Sequence, residues 1–250
     1  MRLNNKVAIV TGGSMGIGEA ICLAYGREGA KVAIVNRTRE TGEVVAQKVK
    51  DAGGTAQVFP CDVSKKAEVD SMVEGVIDSF GVVDILVGNA GIMINKPVEE
   101  YTENEWDRII DVNLKGNFLL SQAVLPNMKK KKSGKIVYVA SIAGTHAFPN
   151  ALPYCASKGG VVMITKALAA EVAKDGINVN CISPGNTATP LNQHLQDDPE
   201  FVKQMASYTP TGRAYISVEE IAGAAVFLAS DEASAVHGLD MIVDDGWCVM

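Results

Sequence analysis

A short apolar strand, Lys6 to Val10, runs without a break into Thr11-Gly-Gly-Ser-Met-Gly-Ile-Gly18, and the helical pattern Ile17, Ile21, Leu23 and Ala24 begins at once. Strand, glycine-rich turn and helix in immediate succession commit the chain to a β–α unit whose next strand returns parallel to the first. Glycines let the backbone approach a pyrophosphate, and the amides and dipole at the helix N-terminus meet its charge. The same turn can serve as a plain strand-to-helix connection. Its place directly after the first strand favours dinucleotide binding by Gly12, Ser14, Met15, Gly16, Ile17 and Gly18.

The alternation continues. A second strand, Lys31 to Val35, ends at Asn36-Arg37, where such a unit presents residues to the adenosine ribose. An acid there accepts from a free 2′-hydroxyl, whereas an arginine holds a 2′-phosphate. With no acid at the tip and Arg37 beside it, NADP is favoured and NAD remains possible; the plainer role for Arg37 is to start the next helix. A third strand, Ala56 to Phe59, leads to Cys61-Asp62-Val63, where Asp62 either accepts from the adenine amino group or caps the helix starting near Lys65. A fourth, Asp84 to Val87, ends in Gly88-Asn89-Ala90-Gly91, small residues that leave room for a flat ligand.

A long helix is predicted over Glu103 to Lys131, apolar at Trp106, Ile109, Val112, Leu114, Phe118, Leu119 and Leu125. Asn113 interrupts it, since an amide in mid-helix competes for backbone bonds; it marks either a local bend or a polar group aimed at a site. Strands five to seven are Lys135 to Val139, Ile177 to Ile182 and Leu239 to Val243, with a helix over Ile221 to Leu228. Residues 186 to 216, with Leu191, Leu195, Phe201, Met205 and Tyr208, read as a partly apolar excursion suited to a substrate lid. The whole is an α/β fold, a parallel sheet of about seven strands with helices on both faces and its ligands outside the strand carboxyl ends.

Bulk properties narrow the partners. The 250 residues, 47% hydrophobic, contain no linker or low-complexity segment, so one domain is expected. A net charge of −6 argues against nucleic acid, and the basic run Lys129 to Lys132 falls where lysines favour a helix C-terminus. No apolar run approaches the roughly 20 residues of a membrane span, and no signal segment opens the chain, so the cytoplasm is expected. The five cysteines lack a C-x-x-C pair and read as reduced, small apolar residues; three scattered histidines give no metal-ligand spacing, so no metal site is expected.

The chemistry is expected between Ser141 and Lys158, which gathers a hydroxyl, a phenol and an ammonium. Pro153 suits the first turn of a helix that continues through Val161, Val162, Ile164, Leu168 and Val172, and this puts Tyr154 and Lys158 at i and i+4 on one face. A phenol titrating near pH 10 needs an adjacent cation to work near neutrality, and Lys158 is that cation.

Together these residues carry a resemblance over essentially the full length. Thr11-Gly12-x-x-x-Gly16-x-Gly18, Asp62, Asn89-Ala90-Gly91, Asn113, Ser141, Tyr154-x-x-x-Lys158 and Pro184-Gly185, in this order and spacing, resemble a short-chain dehydrogenase/reductase. The resemblance implies a single-domain Rossmann fold with strand order 3-2-1-4-5-6-7 and a homotetramer. It implies Tyr154 as general acid/base, Ser141 polarising the substrate oxygen, Lys158 lowering the tyrosine pKa and holding the nicotinamide ribose, and Asn113 anchoring a water of the proton relay. Thr189 matches the threonine that contacts the nicotinamide carboxamide, and Thr187 falls in the same segment. Three positions depart from the family pattern: Gly88 replaces a more usual asparagine, Met15 stands where NADP-preferring relatives carry a basic residue, and Asp245 stands where glycine is common.

The expected activity is NAD(P)-dependent interconversion of a secondary alcohol and a ketone. The alternatives are a 3-oxoacyl-carrier-protein reductase, which needs a basic docking surface, and a non-catalytic dinucleotide-binding protein on the same fold. The substrate pocket is expected from Ser141, His146, Asn150 and Tyr154 with Asn186, Leu191 and Met205, although His146 and Asn150 can equally satisfy loop backbone groups.

Overall fold

The computed structural model describes residues 1–249, apart from the side chain of Leu191. Its strands are β1 (Val7–Thr11), β2 (Lys31–Asn36), β3 (Thr55–Pro60), β4 (Ile85–Gly88), β5 (Gly134–Val139), β6 (Ile177–Pro184) and β7 (Asp240–Val243). They form one seven-stranded sheet, every pairing parallel, in the order β3-β2-β1-β4-β5-β6-β7. Each predicted strand is present, with ends that differ from the apolar pattern by one or two residues.

Strand periodicity sets the two layers. Ala8 and Val10 of β1 and Val32 and Ile34 of β2 face one core, with Ile21 of α1 (Gly16–Arg27), Val45 of α2 (Arg39–Asp51) and Ile221 of α9 (Val218–Ala229). Val7, Ile9, Ala33 and Val35 face the other, with Val73 of α3 (Lys66–Phe80), Leu120 of α5 (Gly116–Lys131) and Val161 of α6 (Leu152–Val172). Both faces of the inner strands are therefore apolar, and each large aliphatic side chain fully buried there contributes about 1.5–3 kcal/mol.

The long helix predicted over Glu103 to Lys131 is not uniform. It consists of α4 (Glu103–Ile110), a π-helical turn (Asp111–Lys115) and α5, and Asn113 sits in the π turn. Thr102 and Glu105 close a capping box at its start. At its end Lys132 is left-handed (φ 54°), Lys129 lies 3.6 Å from Asp175, and Lys131 pairs with Asp84. The basic run is thus held against the edge where the strands begin.

Residues 185–217 leave the sheet after β6 and carry α7 (Gln193–Gln196) and α8 (Pro199–Ser207). A bridge between Thr187 and Ile216 closes the base of this excursion. Among the described residues no helix is long and apolar enough to cross a membrane.

Candidate active site

The glycine-rich turn is shaped by what a side chain would strike. Gly12 and Gly16 are left-handed (φ 63° and 55°), the region open to glycine. A Cβ on Gly18 would collide with the Gly12 carbonyl and fall 2.6 Å from Asn89 Nδ2. Asn89 braces this turn: its Nδ2 donates to the Thr11 carbonyl (2.9 Å) and, at 3.3 Å, to that of Gly12. Thr11 Oγ1 in turn accepts from the amides of Asn89 and Ala90. The exposed Met15 caps α1 with no side-chain bond, which leaves the first-turn amides for a ligand. Ser14 and Ile17 flank it, both half-buried.

At the ends of β2 and β3 the groups divide. Asn36 is buried and its Nδ2 donates to the Thr38 carbonyl and to Thr41 Oγ1 at 3.1 Å, so these donors serve the start of α2. Arg37 is exposed and, among the described residues, makes no hydrogen bond or ion pair. Asp62 does not cap α3, whose N-cap is Lys65; the carboxylate instead accepts from Ser64 N (3.1 Å) and Ser64 Oγ (2.7 Å) in a turn of its own. Burial works against its charge, but the Ser64 bonds and the Lys65 and Arg37 cations hold the carboxyl below its ordinary value. The Val63 side chain is buried, with Cγ2 3.1 Å from where a Cβ on Gly116 would sit, so only its backbone is offered to a ligand.

The catalytic candidates converge outside β4, β5 and α6. Asn113 is fully buried and clamps the loop after β4: its Oδ1 accepts from Ile92 N (2.8 Å) and its Nδ2 donates to the Ile92 carbonyl (2.9 Å). The same Nδ2 reaches Ser157 Oγ on α6 at 3.1 Å. A Cβ on Gly91 would stand 3.4 Å from Asn113 Oδ1 and 3.6 Å from Lys158 Nζ, so the bare backbone there keeps the approach to the lysine open. Lys158 is buried, donates to the Val139 carbonyl (2.7 Å) and lies 5.6 Å from the Tyr154 ring centroid. Burial pulls its ammonium down to about 8.

Ser141 Oγ accepts from Ala143 N (3.1 Å), which orients the hydroxyl at the end of β5. The phenol of the half-buried Tyr154 is pushed up by burial and partly drawn back by the Ser141 hydroxyl. The Lys158 ammonium, tethered to the Val139 carbonyl, stands over the same ring, and the Ser141 hydroxyl is the group that draws the phenol back down.

The expected pocket residues come from separate elements. His146 lies beside Trp247 (ring centroids 6.1 Å apart) and Cys248 (Nδ1 to Sγ 3.4 Å). Asn150 is exposed and left-handed (φ 63°), and its backbone carbonyl accepts from Lys96 N and Tyr101 Oη, which ties this loop together. Asn186 Nδ2 donates to the Ala214 carbonyl (2.8 Å), tying the two ends of the excursion. Met205 is half-buried on α8, and the Leu191 side chain lies outside the described residues. Thr189 packs 3.5 Å from where a Cβ on Gly16 would be, bringing the excursion over the glycine-rich turn, while its hydroxyl donates to Asn192 Oδ1 at 3.1 Å. Thr187 Oγ1 donates to the Gly185 carbonyl (3.0 Å), and Pro184 closes β6. Gly185 is required by a close approach: a Cβ there would lie 2.7 Å from Asp244 Cα.

Sequence reasoning missed Trp247. It stacks on Phe148 (5.3 Å, 24°) and meets Tyr208 edge-on (6.2 Å), joining the C-terminal turn, the loop after Ser141 and the end of α8. The turn itself is built: Asp244 accepts from the amides of Gly246 (2.9 Å) and Cys248 (2.7 Å). Asp245 is left-handed (φ 61°), which is the conformation glycine would supply, and its carboxylate accepts from Arg213 Nε (2.7 Å) and Nη2 (3.0 Å). A Gly-Trp pair just past the last strand was the available signal.

A parallel sheet with an uncapped glycine-rich helix start, and a phenol, a hydroxyl and a buried ammonium beside a side-chain-free opening, define a dinucleotide-dependent oxidoreductase of carbon–oxygen bonds. A sequence model described as "Enoyl-(Acyl carrier protein) reductase" matches residues 12–248. The chain is 42% identical over 248 residues to the D-threitol dehydrogenase of Mycolicibacterium smegmatis, covering 99% of this chain and 95% of the relative. It is 39% identical over 246 residues to the cyclopentanol dehydrogenase of a Comamonas species, covering 98% of each. The structure superposes on a gluconate 5-dehydrogenase from Burkholderia cenocepacia, crystallised with NADP and tartrate, with a TM-score of 0.95 and 35% identity over 100% of this chain and 97% of that one. The chain belongs to the short-chain dehydrogenase/reductase family, and it is a nicotinamide-dependent enzyme that interconverts secondary alcohols and ketones.

Proposed function

We propose that the enzyme is an NADP-preferring dehydrogenase of a small oxygenated secondary alcohol, with Tyr154 as acid/base and Ser141, Lys158 and Asn113 in support. The observation that carries this reading is the buried Lys158 ammonium lying over the Tyr154 ring, with the Ser141 hydroxyl acting on the phenol. The donor set fits a nicotinamide dinucleotide. The cradle at Gly12 and Gly16 takes phosphates, Asp62 accepts from an adenine amino group, and Lys158 beside Gly91 can donate to a ribose. The bound nicotinamide supplies or accepts the hydride. In reduction Tyr154 gives its hydroxyl proton to the carbonyl oxygen, which the Ser141 hydroxyl holds, and Lys158 stabilises the tyrosinate that forms. Oxidation runs these proton steps backwards. Asn113 holds the loop and the catalytic helix together at its two Ile92 bonds and its Ser157 bond.

The preference for NADP rests on Arg37, exposed and unpaired among the described residues, at a β2 tip without an acid. Arg37→Ala is expected to weaken NADP by roughly 1.5–3 kcal/mol, the range for bonds to charged groups, and to leave NAD nearly unchanged. Titration of both cofactors by fluorescence checks this; equal losses would make Arg37 a surface cation only.

For the substrate, the Trp247, Phe148, Tyr208 and His146 cluster offers flat C–H-binding faces and one imidazole. This suits a small ring or short polyol better than a long acyl thioester. A carrier-protein substrate would also need a basic docking surface, and the Lys129–Lys132 run lies at the far edge of the sheet, where Lys131 pairs with Asp84. Trp247→Ala is expected to change the kcat/KM ratio of D-threitol to cyclopentanol by about 10-fold or more, the scale of 1–3 kcal/mol in a pocket, without altering dinucleotide Kd. An unchanged ratio would remove Trp247 from the pocket and with it the lid role of residues 186–216. Exposed Phe118 on α5 and Met163 on α6 support a homotetramer built on these helices, and five free cysteines support a cytoplasmic enzyme.

A further inference from the structure

Behind Asn113 the buried polar groups continue into the core. Asn117 Nδ2 donates to the Asn113 carbonyl (2.8 Å), Ser121 Oγ donates to the Asn117 carbonyl (2.7 Å), and the Ser121 hydroxyl meets that of Tyr138. In the other direction Asn113 reaches Ser157, whose Oγ donates to the Tyr154 carbonyl at 2.7 Å. Tyr138, Ser121, Asn117, Asn113 and Ser157 are all at most 4% exposed. A buried amide at this position needs room, and the room comes from residue 88. A Cβ on Gly88 would collide with Asn117 Oδ1 and stand 2.8 Å from Tyr138 Cδ1.

We propose that Asn117 is a positioning residue, matched to Gly88, that fixes the π turn and through it the catalytic helix. The missing side chain on β4 is replaced by an amide sent across from α5. That amide donates to the Asn113 carbonyl inside the π turn, a segment where the regular helical ladder is broken. Asn113 then holds Ile92 with two bonds and Ser157 with one, so the register of α6 under Tyr154 depends on a contact made on the far side of Asn113 from the substrate. Truncating Asn117 leaves a buried carbonyl short of a donor and opens a cavity beneath Gly88. No charge or reacting atom is removed.

The importance of that register for turnover rests on the role proposed for Tyr154, so the test reads position and chemistry separately. Hydrogen exchange by mass spectrometry over residues 88–94 and 152–160 reports position. Steady-state kinetics with cyclopentanol and D-threitol, and both dinucleotides, report chemistry. Asn117→Ala is expected to speed exchange in both segments and to lower kcat about 10- to 100-fold, the scale of a small misplacement of reacting groups, with KM nearly unchanged. Gly88→Asn alone is expected to fold poorly, and Gly88→Asn with Asn117→Ala, which returns an amide to the strand, is expected to regain protection and part of kcat. Parent-like exchange in Asn117→Ala would overturn the proposal. So would a double variant that folds but exchanges no more slowly than Asn117→Ala. A Tyr154→Phe variant with normal turnover, beside the expected exchange pattern, would instead refute the role of Tyr154 and leave Asn117 as the brace of α6.

Discussion

Replacing Tyr154 by Phe is expected to lower turnover by about 10²- to 10⁴-fold, the range for loss of general acid/base catalysis, while dinucleotide Kd stays at the parent value. The ring and its place over Lys158 are kept, and only the transferable proton goes. The same residue predicts opposite pH profiles for the two directions. Burial pushes the Tyr154 phenol above its ordinary value, so at neutral pH it is protonated. Oxidation of an alcohol needs the tyrosinate, whose fraction grows about tenfold per pH unit below the pKa, and its kcat/KM should therefore climb into the alkaline range. Reduction uses the protonated phenol, already present, and should stay flat up to about pH 8, where the buried Lys158 ammonium that stabilises the tyrosinate begins to lose its charge. Rates in both directions between pH 6 and pH 10, about the span around neutrality that the phenol value allows, check this; a flat oxidation profile would place the base elsewhere.

Gly18→Ala is expected to abolish most dinucleotide binding and to lower stability as well. The added methyl meets the Gly12 carbonyl and Asn89 Nδ2, and these are backbone or braced atoms rather than the tip of a free side chain. Overpacking typically costs about 1–3 kcal/mol, and here it falls on the contact that sets the phosphate cradle. Thermal unfolding and isothermal titration together check both parts, and a variant with parent Tm and Kd would show that the turn yields.

Much of this was legible because it is local. The strand periods, the glycine turn, the Pro153 helix start and the i, i+4 spacing of Tyr154 and Lys158 are properties of short stretches, and short stretches decide them. Asn113 was legible as an interruption, though neither its π turn nor its clamp on Ile92 was, because both depend on a loop 21 residues earlier. Asn36 and Asp62 looked like ligand groups from their places at strand ends. Their nearest donors and acceptors, Thr38, Thr41 and Ser64, decide what remains free for a ligand.

The tether that holds the lysine could not be read either. Spacing places Lys158 on the same helix face as Tyr154, but its tether to Val139 comes from β5, 19 residues away in sequence. Trp247 reads as a tail residue until the Arg213–Asp245 pair and the Asp244 carboxylate fold the C-terminal turn against Phe148. Gly88 stands in the sequence only as a departure from a more usual asparagine, and the packing of α5 against β4 shows where the replacement amide comes from.

The most direct test of the central claim follows the hydrogen itself. The enzyme is incubated with oxidised dinucleotide and a secondary alcohol, cyclopentanol or D-threitol, deuterated at the carbinol carbon, and the reduced dinucleotide is examined by mass spectrometry. The account predicts that the carbinol deuterium appears in the reduced nicotinamide, that turnover shows a primary isotope effect when transfer is rate-limiting, and that Tyr154→Phe suppresses the transfer. Oxidation of the alcohol with the deuterium lost to water, or transfer at the parent rate in Tyr154→Phe, would contradict it.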